Sequence, residues 1–267
     1  MKNILFFGCG KMGSILLNNL IESGVNSEEI SVIKKTSKDK ISGIKYYKNH
    51  LNLPSSYKAS FVFIAIKPQE AKEILLDLSK SKIFNEKTIF ISILAGKKIN
   101  FFENIFGKNS KIVRSMPNLP IQYSQGIIAY IFNKNINNTD KKIITKIFEN
   151  FGTCIQLKNE KDFDIITAIF GSGPAYIFLL EEIVEEIVNN IRNKKIDSSQ
   201  LVKQLFLGSA LMSCNSNSFS ELRKSVTSKA GVTNAALEVF QKNSALKKLF
   251  TKAITQASKK SKELSDV

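Results

Sequence analysis

Hydrophobic positions along this chain change their rhythm near its middle. In the first half they come as short, mostly apolar runs: Asn3 to Phe7, Ile30 to Ile33, Phe61 to Ile66, Thr88 to Ile93 and Lys111 to Val113. Apolar runs of this length predict strands covered on both faces, as in a parallel sheet. Behind the first run, Met12, Ile15, Leu16 and Leu20 recur at helical spacing, and Gly24 supplies a stop. Five strands separated by helical or polar stretches predict an α/β Rossmann fold, a doubly wound parallel sheet. Gly126 to Phe132 adds a further strand, and Asp140 to Phe151 a helix.

From Asp162 onward the period is helical almost throughout. One apolar series runs Ile177, Leu180, Ile183, Val184, Ile187, Val188. Another runs Leu201, Leu205, Gly208, Leu211, Met212, after the cap candidates Asp197 and Ser198. This predicts an all-α C-terminal domain with the boundary near Leu157, hence domains 1–157 and 158–267. Helices so apolar must bury in a domain core or against a second subunit.

The first strand feeds into Gly8-Cys9-Gly10-Lys11-Met12-Gly13, which opens the first helix. In that context GxGxxG predicts a dinucleotide site: Gly8 for the tight turn, Gly10 for backbone approach to a pyrophosphate, Gly13 for helix–sheet packing. An acidic residue after the second strand would hold the ribose 2′-hydroxyl of NADH. Lys34, Lys35, Thr36 and Ser37 stand there instead, so the cofactor is expected to be NADPH, with NADH bound more weakly. Ala65-Ile66-Lys67-Pro68 and Ile93-Leu94-Ala95-Gly96 close the third and fourth strands and should line the cofactor. Arg114 to Pro120 closes the fifth, where the nicotinamide would lie.

Two segments punctuate the helical half. Gly171-Ser172-Gly173-Pro174-Ala175-Tyr176 should break or kink a helix. Leu222 to Thr233 reads as a hydroxyl-rich loop entering a helix over Asn234 to Phe240, with Thr233 as N-cap and free backbone N–H groups able to hold a carboxylate.

Composition narrows the partners. The formal charge is +16 over 267 residues, which invites a nucleic-acid reading, yet it comes from 36 Lys and only three Arg. The lysines fall in scattered pairs with no long basic run, so the expectation is a solvated surface and no nucleic-acid partner. Cys9, Cys154 and Cys214 share no ligand spacing and His50 is the only histidine, so neither a metal site nor a histidine triad is expected. Ile165 to Leu180 is too short to span a bilayer and the N-terminal apolar run too short for a signal segment, which predicts a cytoplasmic protein with no membrane partner.

Taken in order, the glycine turn, Ala65-Ile66-Lys67-Pro68-Gln69, Met116-Pro117-Asn118-Leu119-Pro120, Thr167 through Tyr176 and the Leu222 to Thr233 segment resemble the Δ1-pyrroline-5-carboxylate reductase family. The resemblance spans essentially the whole chain. It implies an NAD(P)H-binding domain, a helical domain that interlocks with a second subunit, an active site between them, and homodimers that can assemble into decamers. Carried over by position, it implies cofactor contacts at Gly8 to Gly13, Lys34 and its neighbours, Asn52, Ala65, Lys67, Ala95 and Ser225. The substrate, pyrroline-5-carboxylate, would meet backbone N–H groups at Val232 and Thr233 and the Thr233 hydroxyl, with Glu160 a further pocket candidate. Two departures stand out. The family loop usually reads Ser-Pro-Gly-Gly-Thr-Thr where this chain has Ser228-Lys229-Ala230-Gly231-Val232-Thr233, and Phe170 stands where a serine is usual. If Ala230 takes a positive φ, substrate binding is affected, which keeps open a reductase for another cyclic imine or a catalytically impaired, cofactor-binding regulatory paralogue.

Overall fold

The computed structural model describes residues 2–35, 40–191 and 197–265. Thr36 and Ser37, expected near the cofactor, lie outside the described residues. The chain forms two compact units, Met1–Ser172 together with Ala257–Val267, and Gly173–Gln256. By their contacts, residues 158–172 and the end of the chain, both expected in the helical domain, group with the sheet.

The first unit is built on eight strands: β1 (Ile4–Phe7), β2 (Ile30–Ile33), β3 (Lys45–Tyr47), β4 (Phe61–Ile64), β5 (Ile89–Ser92), β6 (Lys111–Pro117), β7 (Gly126–Phe132) and β8 (Gly152–Gln156). Their order is β3-β2-β1-β4-β5-β6-β7-β8. Every pair is parallel except β6 and β7, which run antiparallel because only a short turn joins them, too short for a crossover. The sequence reading missed β3 and β8. Both are sheet edges with partly exposed residues, so neither carries the apolar run that marks the inner strands.

Helices α1 (Lys11–Glu22) and α4 (Asn138–Glu149) cover one face of the sheet, and α2 (Ala71–Ser79) and α3 (Ile99–Phe106) the other. Successive strand residues alternate between the two cores. Ile4 and Phe6 pack with Leu16, Leu20 and Phe148, while Leu5 and Phe7 pack with Leu75 and Phe102. Phe6 stacks on Phe63 at 4.7 Å in the first core, and Phe90 on Phe106 at 4.0 Å in the second. Buried Asn19 donates from its side chain to the Ile121 carbonyl, tying α1 to the turn after β6.

Beyond β8 the chain makes a one-turn helix, α5 (Phe163–Ile166), and then a π turn over Thr167–Gly171, closed by the Ser172 N–H on the Thr167 carbonyl at 2.9 Å. Asn118 fastens this turn to the sheet. Its Nδ2 donates to the Phe170 carbonyl at 3.0 Å, while its Oδ1 accepts from the Ile127 N–H at 2.8 Å. The interruption expected over Gly171 to Tyr176 falls at Ser172, and Pro174 sits in the first turn of the next helix, where its missing donor costs nothing.

The second unit holds α6 (Gly173–Asn189), α7 (Ser198–Cys214), α8 (Phe219–Ser225), α9 (Val232–Gln241) and the beginning of α10 (Ala245–Ser265). Asp197 caps α7, accepting from the Gln200 N–H at 3.0 Å. The apolar series on α6 and α7 are largely bare: Ile177 is 47% exposed, Ile187 63% and Leu211 57%. Among the described residues nothing covers them, as would hold for a face that buries against a second subunit. The helical run Glu160–Asn189 is also longer than the sequence suggested, and by length and composition alone it could cross a membrane.

The last turns of α10 return to the first unit. Ser261 Oγ donates to Asp164 Oδ1 at 2.7 Å. Gly96, at φ +77°, is closed over so tightly that an added Cβ would lie 2.6 Å from the Leu264 carbonyl oxygen.

Candidate functional site

At the carboxyl ends of the strands the first unit opens a groove of about 460 Å³. Its floor is the turn between β1 and α1. Gly8 takes φ +80°, and a Cβ there would strike the Ala65 carbonyl oxygen at 2.7 Å. Gly10 lines the groove with nothing within 4 Å of where a Cβ would stand, so its backbone is open to a ligand. A Cβ on Gly13 would meet the Ala65 methyl at 3.0 Å, which keeps α1 close against β4. The three glycines thus divide the work as the motif demands, and the helix N-terminus directs unpaired N–H groups at an anion. Gly10 is the N-cap and supplies no side-chain acceptor, leaving those groups to a ligand.

Lys34 and Lys35 line the groove where β2 ends, and Ala65 and Lys67 where β4 ends. Lys34 is held in register by its N–H on the Tyr47 carbonyl at 3.0 Å, so the residues that leave β3 emerge beside it. These are Lys48, Asn49 and His50, all of which line the groove and none of which the sequence reading placed there. Asn52, expected as a contact, is outside the lining. It sits in an exposed turn, its N–H bound to Asn49 Oδ1 at 3.2 Å.

The remaining expected contacts are also away from the groove lining. Lys11 begins α1 and is exposed, Met12 packs against the core, Pro68 begins the short turn before α2, and Ala95 lies exposed in the loop after β5. This groove carries the nucleotide-binding features, Gly8 and Gly10 among them, but not every residue assigned to the cofactor.

Glu160 is already engaged. Its Oε1 accepts from Arg114 Nη1 at 2.9 Å and from the Ile99 N–H at 2.8 Å, at the start of α3. Arg114 is buried, with its guanidinium 4.1 Å from the Phe163 ring centroid. The carboxylate joins β6, α3 and the turn before α5.

In the second unit, the segment read as a loop from Leu222 is helix α8 as far as Ser225, started by Ser218 accepting from the Glu221 N–H at 3.2 Å. Ser225 ends that helix with its hydroxyl donated to the Leu222 carbonyl at 2.8 Å. Thr233 is not the N-cap of the following helix. Gly231 is, without a side-chain bond, so Val232 and Thr233 occupy the first helical positions with exposed side chains. Their N–H groups belong to the set that a helix leaves unpaired at its start.

Ala230 takes φ +58°, the left-handed conformation that the sequence raised as a condition. Ala230→Gly should relieve it and raise stability by about 0.5–1 kcal/mol, seen as a melting temperature higher by roughly 2 °C.

Among the described residues no cluster of three His, Cys, Asp or Glu side chains is placed to hold a metal. The three cysteines are free. Burial, and secondarily Glu149, push the Cys154 thiol up to about 11, so it stays protonated and unreactive near neutrality.

Comparison with known proteins bears on both units. Residues 160–264 match the family model for pyrroline-5-carboxylate reductase dimerisation, and residues 3–96 that for coenzyme F420-dependent NADP oxidoreductase. The bare helices α6 and α7 fall inside the dimerisation match. The pyrroline-5-carboxylate reductase of Methanosarcina acetivorans is 30% identical, covering 98% of each chain. Among solved structures, the Plasmodium falciparum pyrroline carboxylate reductase with NADP bound superposes with a TM-score of 0.85 at 31% identity, covering 99% of this chain and 98% of that one. The Coxiella burnetii pyrroline-5-carboxylate reductase gives 0.84 at 30% identity, covering 99% and 98%. With glycine turn, groove and apolar helices all accounted for along nearly its full length, this chain belongs to the pyrroline-5-carboxylate reductase family.

Proposed function

We propose that this protein reduces the cyclic imine of pyrroline-5-carboxylate to L-proline with NADPH, as a cytoplasmic homodimer or higher homo-oligomer. The observation that carries the reading is the groove itself. Gly10 opens its backbone to a pyrophosphate, and Lys34, Lys35 and Lys48 gather at the ribose end where an NADH site would hold a carboxylate. When bound, NADPH supplies the hydride that the imine carbon takes up.

The chain's own part is orientation. The N–H groups of Val232 and Thr233 at the start of α9 hold the substrate carboxylate, and the Thr233 hydroxyl faces the ring nitrogen. A hydroxyl is too weak an acid to protonate an imine unaided, so Thr233 orients a nitrogen that arrives protonated or relays through water. Ser225 reaches the cofactor by turning its hydroxyl away from the Leu222 carbonyl. Asn52 and Ala95 approach it from the loops after β3 and β5. Glu160 serves the pocket through Arg114 and the start of α3.

The bare helices α6 and α7 bury in the homodimer, which accounts for the apolar run Glu160–Asn189 without a membrane. Assembly to a decamer would show in the solution mass. The scattered lysines solvate the surface and call for no nucleic acid.

The strained Ala230 favours two other readings: activity on a different cyclic imine, or impaired catalysis with cofactor binding kept. NADPH oxidation with pyrroline-5-carboxylate, beside other cyclic imine acids, separates these, and NADPH binding without turnover of any of them overturns the enzyme reading. Thr233→Ala should lower kcat by about 10- to 100-fold with an unchanged melting temperature, because the side chain is exposed. An unchanged rate removes Thr233 from the mechanism.

A further inference from the structure

His50, the only histidine of the chain, stands in the groove and has no part in the family residues named above. Strands β2 and β3 are neighbours and parallel, so the residues leaving their carboxyl ends emerge side by side, Lys34 and Lys35 from one, Lys48 and His50 from the other. His50 is not a loose surface group. Its side chain is only 10% exposed, and Nδ1 lies 3.7 Å from Asp77 Oδ2 on α2. With Nδ1 on the Asp77 side, Nε2 is the nitrogen left to meet a ligand.

We propose that His50 is a specificity-determining residue for the cofactor, donating from its ring to the 2′-phosphate of NADPH beside Lys34, Lys35 and Lys48. The inference rests on the NADPH reading given above. The opposite wall of the groove is mixed. Lys67 follows β4, Glu70 precedes α2, and Glu73 and Asp77 lie on α2. A 2′-phosphate facing those carboxylates gains from each donor on the β2–β3 side, and the ring of His50 adds one to the three lysines there.

The experiment measures kcat/KM with NADPH and with NADH for the wild type, His50→Ala and His50→Gln. His50→Ala should lower the NADPH-over-NADH preference about tenfold by raising KM for NADPH, with less than a twofold change in KM for NADH. His50→Gln keeps an N–H donor, so it should recover part of that loss. An unchanged preference in His50→Ala, or equal losses with both nucleotides, overturns the proposal while leaving the NADPH reading intact. A wild type with no preference for NADPH overturns that reading, and this inference with it.

Discussion

A Gly8→Ala chain is expected to lose cofactor binding and about 3 kcal/mol of stability together, whereas Gly10→Ala should lose the first and keep the second. At Gly8 the new methyl meets backbone, the Ala65 carbonyl oxygen at 2.7 Å and its carbon at 2.9 Å. Neither partner is free to yield. The Ala65 N–H is bound to the Phe7 carbonyl at 2.8 Å, and the Gly8 N–H to the Ile33 carbonyl at 3.0 Å. The left-handed φ adds about 1–2 kcal/mol for a residue with a Cβ, and overpacking about 1–3 more. Gly10 has an ordinary φ of −79° and open space around it, so alanine folds there without strain and its methyl enters the groove. Thermal melting with NADPH titration checks both variants. Equal melting temperatures for the two would show that the turn is softer than its hydrogen bonds indicate.

The second large effect is at Arg114. Its guanidinium is enclosed between Glu160 and the Phe163 ring, with its side chain 5% exposed and that of Glu160 26% exposed. Arg114→Met leaves the carboxylate facing only the Ile99 N–H and should cost about 3 kcal/mol, since breaking a buried pair from one side strands the other charge. Glu160→Gln alone should also destabilise, by stranding the arginine. The double variant removes both charges while glutamine can still accept from the Ile99 N–H, so it should recover most of the loss. Chemical denaturation of the four chains gives the coupling directly. The double variant also isolates the second role suggested for Glu160. If the folded protein keeps its KM for pyrroline-5-carboxylate, the carboxylate serves the architecture and not the substrate.

The inner strands and the glycine turn were readable because one physical cause writes them into the sequence. A strand covered on both faces is apolar at nearly every position, and in β1, β2, β4 and β5 the exceptions are Ser31 and Ser92, both buried. The edge strands escaped because half their residues meet water. Helix α8 escaped for a different reason: its hydroxyls suggested a loop, although Ser218 and Glu221, three apart, formed the capping signal that would have revealed it. The groove was legible only where residues adjoin a strand end. Lys34 and Lys67 were found from their own strands, but Lys48 and His50 enter through β3, whose place beside β2 is set by long-range pairing. Glu160 shows the same limit, since nothing local announces that its partner is forty-six residues away.

The discontinuity of the first unit has a temporal side. Residues up to Ser172 emerge from the ribosome early and hold most of the sheet's contacts, yet the turn that closes over Gly96 comes from α10, made only after the whole second unit. The nascent sheet must therefore wait with the Ala95–Gly96 loop uncovered. During synthesis this end of the molecule matures last, and a pause between Gln256 and Leu264 would leave a chain with its sheet formed and this loop still open.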